Sequence, residues 1–187
     1  MSPQIFSERI KKTKQQHGFL SLEMGLVLLV IAVIIVGSVM YYRDNLRKTS
    51  VQNNTQQILS AASNMRAKYG QSNQYGVITT AIAVRSGVIP AALRDGDDAT
   101  ATNSFGGSIT VAPATLTGAN DSVEITWPSV PKNQCSDIVT NADPEMRQIA
   151  VGSTTVKTNN GTLDLDALET ACESDTTVDL HFWVGRS

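Results

Sequence analysis

Between Met24 and Tyr42 the chain carries no charged residue, and only Gly25, Gly37 and Ser38 interrupt its apolar side chains. Counted from Phe19, the segment has 24 residues and one charge, Glu23, close to its start. A helix of about 20 apolar residues crosses a bilayer, so this stretch is long enough to span one. A fold built only around an internal core has no obvious place for it. The remaining sequence is therefore read as what such a helix carries.

The residues ahead of it, Met1–Gly18, hold Arg9, Lys11, Lys12 and Lys14 against Glu8 alone. Basic residues on one side of a span keep that side in the cytoplasm, which directs the C-terminal part outward. No small-residue cleavage site of the secretory kind stands out, and the apolar run continues into Tyr41-Tyr42-Arg43, the pattern of an interfacial belt. Without the leader the chain keeps 11 positive against 16 negative charges, a net of −5. An acidic remainder argues against nucleic-acid binding, which needs a basic footprint. The two cysteines, Cys135 and Cys172, both fall in the outward part. In an oxidising compartment they would pair; the alternative is two buried thiols.

About 145 residues follow Tyr42, enough for one domain with its own core. Val51, Ile58, Ala62, Met65 and Tyr69 recur at helical spacing, and Gln52, Asn53, Gln56, Gln57, Asn64 and Lys68 occupy other faces. No proline interrupts Phe19–Tyr69, so one helix is expected across it, with Gly70 as its C-cap and Gly37-Ser38 as its weakest point. A short helix is expected over 79–86, then a loop through Pro90 and a turn at Asp95–Asp98. Alternation predicts strands at Gly106–Pro113 and Asp121–Pro128, joined by the turn Thr117–Asp121. A helix at Pro131–Ala142, a strand at Met146–Gly152, a helix at Leu163–Cys172 with Leu165 and Leu168 on one side, and a strand at Thr176–Gly185 complete the chain. In that last strand Val178, Leu180, Phe182 and Val184 share a face. The class is α+β: a long N-terminal helix, its first half hydrophobic, packed on an antiparallel sheet with short helices between strands.

No catalytic constellation accompanies this outline. The two histidines, His17 and His181, are far apart in sequence, and neither a nucleophile elbow, a P-loop nor a dinucleotide fingerprint is present. Asp95, Asp97 and Asp98 lack the glutamate that closes an EF-hand loop and read as a solvated turn. Asp164 and Asp166 suit the start of a helix. Trp127 and Trp183 read as core or edge residues of the sheet. No enzyme activity, cofactor or metal is expected. Glu23 stands apart, because ionisable groups inside spans are costly and usually functional. A cut between Gly18 and Phe19 would create an α-amino group one helical turn from Glu23. Pairing of such an amine with the carboxylate of another copy would fix register in an apolar bundle.

Gly18-Phe19-Leu20-Ser21-Leu22-Glu23, behind a basic leader and before a long apolar run, resembles the class III signal of type IV prepilins. The resemblance implies that a prepilin peptidase cuts after Gly18 and N-methylates Phe19. It also implies that Phe19 and Glu23 serve subunit docking. The stretches Tyr75–Pro90 and Asn103–Val111 resemble PilS-type major pilins of type IVb pili, including thin pili of conjugative plasmids. Phe19 departs from the usual type IVb first residue, whereas the length of the leader agrees with it. The pilin fold is then expected, with Cys135 and Cys172 bracketing the family's variable D-region.

The resemblance implies a cleaved leader at 1–18, a transmembrane and polymerisation segment at 19–42, and a globular domain at 43–187 that includes the amphipathic half of the helix. It implies a major pilin, held N-in in the bacterial inner membrane and then assembled into an extracellular helical filament for adhesion or conjugative contact. Its partners would be other copies of itself, the prepilin peptidase, the assembly platform and minor pilins. A minor pilin or a type II secretion pseudopilin has the same architecture. A signal-anchored periplasmic domain is the reading from another class.

Overall fold

The computed structural model describes residues 17–72, 74–96 and 99–185, with side chains from Glu23 onward. Residues 1–16 of the expected leader 1–18, and the acids Asp97 and Asp98, lie outside the described residues. The chain divides into two compact units, 1–45 and 46–187.

Helix α1 is continuous from His17 to Met65. It passes unbroken through Gly37-Ser38, where the Ser38 hydroxyl donates to the Ile34 carbonyl at 2.7 Å. That bond occupies the hydroxyl within the helix and leaves the backbone ladder intact. Beyond Met65 the chain tightens no further. It widens into one π-helical turn, Arg66–Gly70, followed by Gln71 in right-handed helical geometry. Gly70 is therefore not the left-handed cap its position suggested. It is buried because the Tyr75 hydroxyl packs against it; a Cβ there would lie 2.9 Å from that oxygen.

In the second unit the α1 residues Val51, Ile58, Ala61, Ala62 and Met65 are buried, while Gln52, Asn53 and Gln56 face out. They share one core with a five-stranded antiparallel sheet of order β1-β2-β5-β3-β4. Its strands are β1 (Thr110–Ala114), β2 (Ser122–Pro131), β3 (Gln148–Val151), β4 (Thr154–Lys157) and β5 (Thr177–Gly185). The alternation on β5 is realised: Val178, Leu180, Phe182 and Val184 are buried, and Asp179, His181 and Trp183 point the other way. Trp127 is fully buried in the core.

Three differences from the sequence expectation have physical causes. Strand β2 continues past Pro128, because a bulge between Trp127 and Val130 absorbs the proline. Ser129 sits at φ 60° in that bulge, and its amide is held by the Asp179 carboxylate at 2.9 Å. Strand β4 is an addition; it folds back from β3 across Gly152 at φ 56°. Leu165 is 62% exposed, because the buried side of its helix is formed by Leu168, Ala171 and Cys172.

The short helices are α2 (Thr80–Arg85), α3 (Lys132–Ala142) and α4 (Leu165–Cys172). Thr79 caps α2 by accepting from the Ile82 amide, and Asp164 caps α4 by accepting from the Ala167 amide at 3.0 Å. Pro131 ends β2 and serves as the N-cap of α3.

Candidate assembly surfaces

The first unit presents a continuous apolar surface. Leu26, Leu29, Val33, Ile34, Val36 and Met40 are each more than half exposed, and Tyr41 and Tyr42 close the run at 73% and 64%. By length and composition this part of the helix is able to cross a membrane. Leaving so much apolar surface in water opposes the hydrophobic effect, at about 25 cal/mol per Å². Contiguous patches of this kind mark a membrane or a protein partner. Gly25 and Gly37 have nothing within 4 Å of an added Cβ, so space around them is open on the isolated chain.

Glu23 is exposed at the start of this surface. Gly18 and Phe19 lie within the helical backbone of α1; their side chains are outside the described set. The geometry thus places all three on one helix.

The second unit is cross-linked by a disulfide and by buried polar bonds. Cys135 on α3 and Cys172 at the end of α4 form a disulfide, with Cα atoms 5.7 Å apart. It closes a stretch that contains β3, β4 and α4. Two polar ties, neither apparent from sequence, fix other parts. Asn54 is fully buried on α1, accepts the Trp127 indole N–H at 3.2 Å, and donates to the Ser50 carbonyl at 2.9 Å. Asp121 gathers the turn before β2. Its carboxylate accepts from the amides of Leu116, Thr117 and Gly118 and from the Thr117 hydroxyl, and it meets Arg147 at 3.3 Å. Burial works against ionisation there. The hydrogen bonds more than offset it and hold the Asp121 carboxyl well below the usual carboxylate range. Arg147, itself buried, also donates to Asn159 at 3.1 Å.

The outward sheet face carries a small polar cluster. His181 Nδ1 lies 2.8 Å from the Glu124 carboxylate and 3.4 Å from the Thr126 hydroxyl, and its ring stacks on Trp183. Trp183 is thus a half-exposed face residue, in contrast to Trp127. Asp95 accepts from the hydroxyls of Thr100 and Thr102, which makes it an organiser of its turn. Among the described residues no group of three or more His, Cys, Asp or Glu is placed to hold a metal ion.

A separation of 73 residues hides the Asn54–Trp127 tie from sequence reading, and one of 26 hides Asp121–Arg147. The only available signal is an asparagine at a helical core position, Val51 plus three.

Comparison with known proteins adds identity to this geometry. Residues 46–182 match the family model described as PilS N terminal. The major structural subunit of bundle-forming pilus from Escherichia coli O127:H6 (strain E2348/69 / EPEC) is 27% identical over 106 residues, 57% of this chain and 55% of that one. The same subunit from Escherichia coli O111:H- matches equally. The chain spans about half the length of the curated relatives it matches. In fold it is similar to a type IV b pilin from Salmonella typhi, at TM-score 0.57 and 21% identity, covering 72% of this chain and 99% of that one. It is also similar to TcpA, a type IV pilin from Vibrio cholerae El Tor biotype, at TM-score 0.53 and 16% identity, covering 72% and 98%.

Proposed function

Because the chain belongs to the PilS N-terminal family and has the fold of type IV pilins, we propose that it is the major structural subunit of a type IVb pilus. The observation that carries this reading is the unburied apolar half of α1 attached to a disulfide-closed pilin domain. Such a surface needs apolar surroundings before and after assembly. The bilayer supplies them to the prepilin, and the helices of other copies supply them in the filament.

In this reading a prepilin peptidase cuts between Gly18 and Phe19 and N-methylates Phe19. The Phe19 ammonium of one copy then pairs with Glu23 of another in the filament core. That pair fixes register more than it adds stability, because either charge left alone in an apolar bundle costs several kcal/mol. The assembly platform and minor pilins would receive the subunit from the inner membrane. The sheet domain would face outward for adhesion or conjugative contact.

Intact mass and N-terminal mapping of the protein from cells test the reading. The expected chain begins at N-methylated Phe19, is two hydrogens lighter for the Cys135–Cys172 bond, and dominates isolated filaments. A chain that still begins at Met1 in cells with an active prepilin peptidase would overturn the processing. A correctly processed chain present only as a trace of the filament would reassign it to a minor pilin.

A further inference from the structure

The two halves of the Cys135–Cys172 bond are both buried, yet their surroundings differ. Cys172 lines an open pocket of about 440 Å³, whose walls also carry Arg47, Lys132, Leu165, Glu169 and Glu173. All of these residues belong to the second unit. The volume is within the range of small-ligand sites. Cys135 is fully buried in the core and is absent from the pocket wall. A molecule that enters this pocket therefore meets the Cys172 side of the bond.

Charge separates the two cysteines in the same sense. In thiol–disulfide exchange a thiolate attacks one sulfur, and the other sulfur departs as a thiolate. Lys132 precedes Cys135 by three residues on α3, which places its ammonium one turn away on the same helix face. Asp137, the nearest acid in sequence on α3, is committed to Arg47 at 2.9 Å. Glu169 precedes Cys172 by three residues on α4, and Glu173 follows it directly. A departing negative charge is thus better accommodated on Cys135 than on Cys172, and access favours attack on Cys172. Both conditions select one direction of exchange.

We propose that in the folded domain thiol–disulfide exchange enters through Cys172, and that the partner is the exposed cysteine of a thiol–disulfide oxidoreductase. The partner's thiolate attacks Cys172 Sγ and forms a mixed disulfide with it. The bond to Cys135 breaks, its electron pair stays on the Cys135 sulfur, and a solvent proton completes that thiol. The partner's second cysteine then attacks the mixed disulfide, so the partner is oxidised to a disulfide and the chain is left with two thiols. The same steps run backwards make the bond: Cys172 carries the mixed disulfide, and Cys135 resolves it. The pocket is the entry for this exchange, and the buried Cys135 is kept for closure.

The test uses the full chain in detergent micelles, with reduced glutathione as the attacking thiol. Samples are quenched in acid at early times, and peptic mapping at low pH locates the glutathione. It should be found on Cys172 about tenfold more often than on Cys135. Two variants probe the route. Leu165→Trp narrows the pocket from a side chain that is 62% exposed, so opening should slow while the thermal midpoint of the domain stays unchanged. Lys132→Gln removes the cation beside the departing sulfur and should slow opening as well, with a difference that shrinks as salt is added. Glutathione on Cys135, or equally on both cysteines, would overturn the inference. So would opening whose rate neither variant changes, or opening no faster than global unfolding, because the pocket would then play no part in it.

Discussion

Ile34 and Ile58 lie on the same helix; the first is 61% exposed and the second is fully buried. Around Ile58 every apolar contact is found within the chain, and even the buried amide of Asn54 is used by Trp127. Ile34 leaves most of its side chain uncovered, and its carbonyl accepts the bond from Ser38. The second half of α1 is therefore stabilised by folding. The first half leaves its apolar surface uncovered by the described residues. A substitution in one half should leave the other half's measurable property unchanged, and that independence can be tested.

The largest expected effect is on assembly. Glu23→Ala should weaken filament assembly while the melting of the globular unit, followed by near-ultraviolet circular dichroism, stays unchanged. Processed protein with normal piliation would break the comparison, because the polar requirement of the first half would then be absent. The reverse case is Cys135→Ser with Cys172→Ser. Opening that loop should cost the globular unit about 4 kcal/mol in chemical denaturation. Extraction of the chain from membranes should be unaffected.

Asp121→Asn probes the same unit through pH. The substituted side chain keeps its shape but loses the charge that three amides, one hydroxyl and Arg147 address. A loss of about 3 kcal/mol is expected at pH 7. Because the folded carboxyl titrates below its ordinary value of 3.8, its contribution is complete above that pH and falls away as pH drops beneath it. Denaturation of both proteins from pH 7 to pH 2 should therefore show the gap narrowing only below about pH 4. A gap that is constant across the range would assign the loss to packing.

The legible parts of the molecule are those where one residue's environment depends on its near neighbours in sequence. Val178, Leu180, Phe182 and Val184 alternate, and β5 follows. The spacing from Val51 to Met65 marks the buried face of α1. Strand β4 is not legible: Thr154-Thr155-Val156-Lys157 has no alternation, and two of its four residues are exposed on the sheet edge. The bulge at Ser129 is hidden because Pro128 alone looks like a strand end. Leu165 reads onto the wrong side of α4, since a helix of eight residues gives too few turns to fix its phase. The assembly surface is legible in a different sense. Its composition announces it, and the structure supplies the exposure. Glu23 is conspicuous because it breaks an apolar pattern, whereas Asn54 is not, because a lone polar residue on an amphipathic helix breaks none.

The smallest effects sharpen the comparison, because one substitution should change sign between the regions. Gly37 lies mid-helix with nothing within 4 Å of an added Cβ, so Gly37→Ala gains helix propensity without a clash. About 1 kcal/mol of added helix stability is expected, read as slower amide exchange around residue 37. Gly152 turns the β3–β4 hairpin at φ 56°, a conformation that an added Cβ opposes although the space is open. Gly152→Ala should therefore destabilise the globular unit by about 1 kcal/mol. The thermal midpoint of that unit should fall for Gly152→Ala and stay fixed for Gly37→Ala. A midpoint that moves with Gly37 would mean that the exposed half of α1 is coupled to the folded core, and the independence of the two halves would have to be abandoned.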